Sequence, residues 1–249
     1  ASSIAIAEGM KDGKGIIVMT PASLRANYIE ELKKAGDVLY NKNQFWEWIS
    51  TEKSGKNKDI DSIVSTISSV LSLPEVYIRK QKGAWFINIS KPANYDNLTD
   101  IEKKSLDKQL DEMIKQKYTF INYNGLRTSK LKELTSDYTE NLFDNKVVII
   151  DEAHNLVSRI VNKLGKGKKK EHDEEPPTTL ATRLYDYLLS ARNVRIVLLT
   201  GTPVINYPNE FAIIFNILRG YIPTWEIPLI IASTGTINTS TLKNILSKE

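Results

Sequence analysis

Residues 146–150 read Lys-Val-Val-Ile-Ile and run straight into Asp151-Glu152-Ala153-His154. A continuous β-branched run without alternation suits a strand buried on both faces, the place of a central strand in a parallel sheet. Two carboxylates directly after such a strand then stand at a sheet edge. A second run of the same character, Arg195 to Leu199 (RIVLL), ends in Thr200-Gly201-Thr202-Pro203. Two further short ones precede them: Ile16 to Met19 (IIVM), closed by Thr20-Pro21, and Tyr118 to Tyr123 (YTFINY). Stretches with helical character lie between and around the strands: residues 1–10, a helix that Ser23 can cap and that runs through Leu32, Leu180 to Leu189, and Asn209 to Leu218. Strands alternating with helices predict an α/β fold built on a doubly wound parallel sheet, with ligand chemistry at the carboxyl ends of the strands.

Residues 41–118 have a different texture. Aromatic residues cluster at Phe45, Trp46 and Trp48, a lysine-rich loop runs from Ser54 to Lys58, and Val76-Tyr77-Ile78 and Trp85-Phe86-Ile87 flank Lys82-Gly83 as the arms of an expected hairpin. This stretch reads as an inserted α+β segment packed on the sheet. Between Gly165 and Thr179 runs GKGKKKEHDEEPPTT, most simply a solvated connection, with a nucleic-acid contact as the lesser alternative.

Composition narrows the function classes. At 249 residues, with 41% apolar and 26% charged residues, the chain can bury a sizeable core. No apolar run approaches the roughly 18 residues of a membrane helix, and no secretory signal is visible at Ala1, so a protein without a membrane partner, soluble and intracellular, is expected. The absence of cysteine excludes disulfides, zinc-thiolate sites and cysteine nucleophiles. A net charge of +4 permits a polyanionic partner without demanding one.

The acidic pair carries the chemistry. Phosphoryl transfer needs a carboxylate at a strand tip to hold Mg²⁺, often through water, and a second group to orient the attacking water. Asp151 suits the first role, as metal ligand, and Glu152 the second; the plainer alternative is an Asp-Glu pair capping the next helix. His154 reads either as a polar packing residue or as a relay to the hydroxyl-bearing loop Thr200-Gly201-Thr202 at a neighbouring strand tip. A metal-dependent hydrolase built on Asp151, Glu152 and His154 is the weaker reading, since adjacent residues cannot readily surround one ion and the second histidine, His172, falls in the charged loop.

With these residues in view, VVIIDEAH followed by LLTGTP resembles motifs II and III of superfamily 2 helicases, and MTPASLRANYIEEL, from Met19 to Leu32, resembles their motif Ia. The segments LYNKNQFWEWI, FINYNGLR, VVIIDEAHNLVSRIVNKL and LLTGTPVINYPNEFAIIFNILRGY are similar to the poxvirus-type and giant-virus DNA helicases related to Swi/Snf motors, a group that includes viral transcription and termination NTPases. The resemblance implies an ATP-hydrolysing, DNA-dependent motor of two RecA-like lobes that uses ATP and Mg²⁺. It implies a first lobe over residues 1–228, with the insertion at about 41–118, and the start of an interlobe linker over 229–249, leaving Trp225 as packing. Glu152, Asp151 and His154 take the catalytic positions; Thr200, Gly201 and Thr202 couple hydrolysis to movement. Thr20, Pro21 and Arg25 match motif Ia, and Tyr123, Asn124 and Gly125 fall where motif Ib touches the nucleic-acid backbone. The implied partners are nucleic acid, DNA before RNA, a second RecA-like lobe and viral transcription machinery, in host cytoplasm or virion.

One element of the pattern is missing. A phosphate loop requires G-x-x-x-x-G-K-[ST], and Gly9 to Gly15 (GMKDGKG) does not supply it, because Glu8 stands at the first glycine position and Gly15 at the metal-binding hydroxyl. That loop is expected just upstream of Ala1. Motifs IV to VI are absent as well, and with them an arginine finger worth roughly 10³ to 10⁵ in rate, so the isolated chain is expected to hydrolyse ATP negligibly. The rival of another class is a non-catalytic scaffold lobe of a transcription complex that binds DNA or protein.

Overall fold

The computed structural model of the chain describes residues 1–52, 57–164, 179–222 and 239–240. In chain order the elements are α1 (Ser2–Met10), β1 (Gly15–Met19), α2 (Arg25–Ala35), β2 (Trp46–Ser50), α3 (Asn57–Leu71), α4 (Glu75–Gln81), β3 (Gly83–Ile87), α5 (Asp100–Lys117), β4 (Tyr118–Ile121), α6 (Thr128–Leu134), β5 (Lys146–Asp151), α7 (Ala153–Leu164), α8 (Leu180–Ser190), β6 (Arg195–Leu199) and α9 (Asn209–Arg219). Four strands form one parallel sheet in the order β4-β1-β5-β6, while β2 and β3 make a separate antiparallel ribbon. Helices cover both faces of the parallel sheet, an α/β arrangement consistent with a RecA-like fold. Residues 54–56 of the expected lysine-rich loop, the charged stretch 165–178 with His172, Trp225, and the expected linker apart from residues 239–240 lie outside the described residues, while Asn57 and Lys58 at the end of that loop begin α3.

The aliphatic runs make two cores out of one sheet. Successive strand side chains point to opposite faces, so Ile16, Val18, Val147 and Ile149 meet α1, α2 and α5, while Ile17, Met19, Val148 and Ile150 meet α7, α8 and α9. Val147 to Ile150 are each 0% exposed, and burial of each such side chain contributes roughly 1.5–3 kcal/mol as an upper estimate. β6 carries an equally aliphatic sequence but forms the sheet edge, and its residues are only half-buried. Trp46, Leu71 and Trp85 from the stretch expected as an insertion sit in the first core beside Ile16 and Val18.

Two local expectations need correction. Val76-Tyr77-Ile78 is not a hairpin arm but part of α4: Pro74 sets the helix entry, Ile78 is buried while Val76 is 77% exposed, and Lys82 closes the helix at φ +61. β3 instead pairs with β2, Gly83 opposite Ser50, and a β-carbon at Gly83 would fall 2.4 Å from the Ile49 carbonyl oxygen. Ser23 caps nothing; it lies in a short 3-10 turn, Ala22–Leu24, and α2 starts at Arg25 with no side-chain cap.

At the amino edge of the sheet a polar clamp ties α1 to the α5–β4 junction. The Nζ atoms of Lys11 and Lys117 stand 3.1 Å and 2.9 Å, respectively, from both Glu8 and Asp37. The hydroxyls of Tyr118 (2.6 Å) and Tyr40 both donate to Glu8. Burial works against the Asp37 charge, but Lys117, the Leu39 amide and Lys11 outweigh it and hold the carboxyl at about 2. The glycine-flanked turn at 11–14 leads into the amino end of β1, whereas a phosphate loop follows a strand. Gly9 to Gly15 therefore belongs to this structural end of the sheet.

Candidate active site

Strand register decides which residues meet. Met19 pairs with Ile150, and Asp151 with Leu199, so Thr20, Asp151 and Thr200 emerge side by side at the carboxyl edge. To turn from β5 into α7 within one residue the chain uses Glu152 at φ +50, in the left-handed region. For a residue with a β-carbon that conformation costs on the order of 1–2 kcal/mol, and the strain falls on an acidic residue of the candidate site. Four hydrogen bonds hold the turn. The Glu152 amide donates to Asp151 Oδ1 (3.1 Å), the Asn155 amide donates to the Glu152 carbonyl (2.9 Å), and the Tyr123 hydroxyl donates to the carbonyls of Asp151 (2.9 Å) and Glu152 (3.1 Å).

Tyr123 was expected at a nucleic-acid surface, yet it is 1% exposed and points into the acidic turn. Burial first, with the nearby charges of Asp151 and Glu152 adding to it, pushes its hydroxyl up to about 12, so it stays a neutral donor. Asn124 is exposed, and Arg159 on α7 fastens this corner by donating to the Tyr123 carbonyl (2.7 Å) and to Asn124 Oδ1 (3.3 Å). Thr20 departs from its expected surface position in the same way: it is 1% exposed and its hydroxyl acts on Asp151. Pro21 is half-buried, and Arg25 is exposed with its guanidinium 5.4 Å from the Phe120 ring centroid. Arg25, Asn122, Arg127 and Lys130 line an open groove of about 480 Å³ beyond β4.

His154 stands where two loops converge. Its Nδ1 lies 2.9 Å from Thr200 Oγ1 and 3.3 Å from Glu152 Oε2, and the Thr202 amide donates to Thr200 Oγ1 at 3.1 Å. A carboxylate can only accept, so the tautomer protonated on Nδ1 suits both oxygens. Gly201 and Thr202 are exposed, and a β-carbon at Gly201 would meet nothing within 4 Å. The arrangement can transmit a displacement between the acidic turn and the loop after β6 through one imidazole ring.

Asp151 is held above its ordinary range, by burial first and by the Glu152 charge second, against the Glu152 amide and the Thr20 hydroxyl. A carboxylate in that condition favours a cation. Among the described residues no group of three His, Asp or Glu side chains could hold a metal unaided. Asp151 at the strand tip, with Glu152 beside it, offers one or two carboxylates, the share that an ion such as Mg²⁺ takes from a protein while keeping water and substrate phosphate as its other ligands.

Sequence reasoning missed Glu210, which is 0% exposed. It accepts from the amides of Ile205 (2.7 Å) and Asn206 (3.3 Å) and from the Ser158 hydroxyl, and Asn206 Nδ2 donates to Ser158 Oγ at 3.0 Å. Burial opposes its charge, but these donors outweigh it and lower the carboxyl below the usual range. Glu210 thus pins the loop carrying Thr200 to α7, the helix that begins at the acidic turn. Glu210→Ala strands two amides and a hydroxyl and is expected to cost about 2–3 kcal/mol. Urea denaturation checks this; an unchanged midpoint would show that the carboxylate holds nothing.

No family model matches the chain. A protein of Acanthamoeba polyphaga mimivirus named "Putative ATP-dependent RNA helicase" is 26% identical over 87% of this chain and 26% of its own length. A second mimivirus protein with the same designation is 33% identical over 53% of the chain and 21% of its own length. The "Termination factor NPH-I homolog" of African swine fever virus is 40% identical over 30% of the chain and 9% of its own length. The homologues are thus viral proteins named as helicases and termination factors, at modest identity, as befits a superfamily 2 helicase-like segment. The chain spans about a quarter or less of the length of these relatives.

Proposed function

We propose that residues 1–228 form the first RecA-like motor lobe, with an insertion at about 41–118, of a nucleic-acid-dependent ATPase that serves viral transcription. The observation that carries the reading is the acidic turn Asp151-Glu152 at the carboxyl edge of the sheet, joined to the loop after β6 by the His154–Thr200 contact. Asp151, at the strand tip, would hold a Mg²⁺ ion, which would supply charge neutralisation for the phosphates. Glu152, whose side chain is 42% exposed, orients and deprotonates the attacking water. The Tyr123 hydroxyl and the Asp151–Glu152 hydrogen bond keep both carboxylates aimed while the turn stays in its strained conformation.

His154, Thr200 and Thr202 link the hydrolytic turn to the loop after β6, and Glu210 makes that loop move with α7. The groove of Arg25, Asn122, Arg127 and Lys130, with exposed Asn124 at its border, meets the phosphodiester backbone without reading sequence. In this assignment Thr20 and Tyr123 support the site from within. DNA is the preferred strand.

The test is ATP hydrolysis by the full-length protein with single- and double-stranded DNA and with RNA over a salt series. Stimulation by DNA is expected, with binding that weakens linearly in log salt and a slope reduced by roughly one unit in Arg127→Ala. Nucleic-acid binding without any ATP hydrolysis would instead point to a scaffold lobe.

A further inference from the structure

Arg159 holds a corner where the basic groove and the acidic turn meet. From α7 its guanidinium donates to the Tyr123 carbonyl at 2.7 Å and to Asn124 Oδ1 at 3.3 Å. Tyr123 is 1% exposed, and its hydroxyl holds the carbonyls of Asp151 (2.9 Å) and Glu152 (3.1 Å). Asn124 is exposed, in a tight turn that the Asn122 side chain closes by accepting from the Asn124 amide at 3.1 Å. The contacts form a closed circuit. It runs from the acidic turn along α7 to Arg159, across to Tyr123, and back through the tyrosine hydroxyl to the same turn.

Arg159 has capacity to spare. Both bonds leave from Nη1, so the donors on Nη2 and Nε remain, and among the described residues no carboxylate pairs with them. Arg159 also lines a cleft of about 220 Å³ between α7 and α8, together with Leu126, Asn162 and Lys163. Leu126 lines the groove beyond β4 as well, so the two cavities adjoin, and no described carboxylate lines either of them. The cations Arg25, Arg127 and Lys130 of the groove are thus continued by Arg159 and Lys163, a track of one sign that suits the phosphates of a single strand. A phosphate oxygen is a charged acceptor, and it bonds a guanidinium more strongly than the neutral amide oxygen of Asn124, which holds the longer of the two bonds.

We infer that Arg159 is the positioning residue through which a bound strand acts on hydrolysis: a backbone phosphate replaces Asn124 Oδ1 as its acceptor, and the guanidinium, still donating to the Tyr123 carbonyl, shifts the tyrosine whose hydroxyl holds the acidic turn. This rests on reading that turn as the hydrolytic site and the groove as the strand's path. It is a route separate from the His154–Thr200 contact, which joins the turn to the loop after β6.

The experiment compares wild type, Arg159→Met, Arg159→Lys and Lys163→Met in the full-length protein. ATP turnover is measured without nucleic acid and at saturating single-stranded DNA, and DNA affinity is measured with and without a non-hydrolysable ATP analogue. Arg159→Met is expected to keep the basal turnover, because Tyr123 stays buried and its hydroxyl bonds do not involve the arginine. Its stimulation at saturating DNA is expected to fall roughly 10-fold or more, and the factor by which the analogue changes DNA affinity to approach one, since coupling between two ligands is reciprocal. Lys163→Met should weaken DNA binding yet keep full stimulation at saturation. Should Arg159→Met fail to fold, Arg159→Lys carries the test: it keeps the charge without the planar fork that spans carbonyl and phosphate, and is expected to bind DNA while losing most of the stimulation. Full stimulation at saturating DNA in either arginine variant overturns the inference, because Arg159 is then a phosphate contact like Lys163. Basal and stimulated turnover that fall by the same factor also overturn it, since the arginine then only supports the turn. Wild-type protein whose ATP turnover does not respond to DNA overturns the motor reading itself, and this inference with it.

Discussion

In the full-length protein, Glu152→Gln is expected to lower ATP turnover roughly 10²- to 10⁴-fold, the range a positioned general base contributes, while ATP binding is preserved. The substitution keeps the side-chain shape and leaves untouched the backbone bonds that define the turn: the residue's own amide to Asp151 Oδ1, and the Tyr123 hydroxyl to both carbonyls. What it removes is the negative charge at the end of a side chain that is 42% exposed and borders His154. The strained φ of +50 persists in the variant, so its stability should match that of wild type. Single-turnover hydrolysis beside equilibrium nucleotide binding separates the two effects. Unimpaired hydrolysis would take Glu152 out of the reaction and leave it as a helix-entry residue.

Asp151→Asn should remove turnover as thoroughly while making the fold more stable at neutral pH. Burial and the Glu152 charge hold the Asp151 carboxyl above its unfolded value. The folded state then binds the proton more tightly than the unfolded state does, so ionisation destabilises the fold as pH rises through the raised value. Above that value the penalty is constant; below the unfolded value of about 3.9 it vanishes. Asparagine carries no charge and keeps an oxygen for the Glu152 amide. A Tm above that of wild type is expected at pH 7, with the gap narrowing as pH falls through the raised value and closing below pH about 4. Thermal unfolding across that range in metal-free buffer checks the sign. A Tm gap that widens towards low pH would mean that the carboxylate is stabilised by the fold, and that the cation argument has the wrong sign.

The parts of this fold that were legible share one property, which is that their determinants are local. Val147 to Ile150 declare a doubly buried strand because β-branched residues without alternation have few other uses, and the residues after it must then lie at the sheet edge. The four parallel strands and the helices α1, α2, α8 and α9 followed from the same pattern, whereas α5 and α7 did not. Val76-Tyr77-Ile78 misled because three apolar residues in a row carry no period, and it was Pro74 and the single buried Ile78 that settled the helix. Tyr123 is expected at a nucleic-acid contact but is buried, since nothing local says that its hydroxyl is drawn in by carbonyls 28 and 29 residues away. Arg159 and Glu210 were invisible for the same reason: their partners, Tyr123 and Ser158, lie 36 and 52 residues distant. Hydrophobic period predicts which face of an element is buried, but it cannot say which polar groups meet within that face.

If the turn between β5 and α7 receives the cation of a bound nucleotide, a crystal structure of the full-length protein with Mn²⁺ in place of Mg²⁺ and a non-hydrolysable ATP analogue will show it, with the metal located by anomalous scattering. The metal peak is expected beside the Asp151 carboxylate, at the edge where Thr20 and Thr200 emerge. A peak at the opposite end of the sheet, by the Glu8 and Asp37 carboxylates, or an analogue bound with no metal near Asp151, would contradict it.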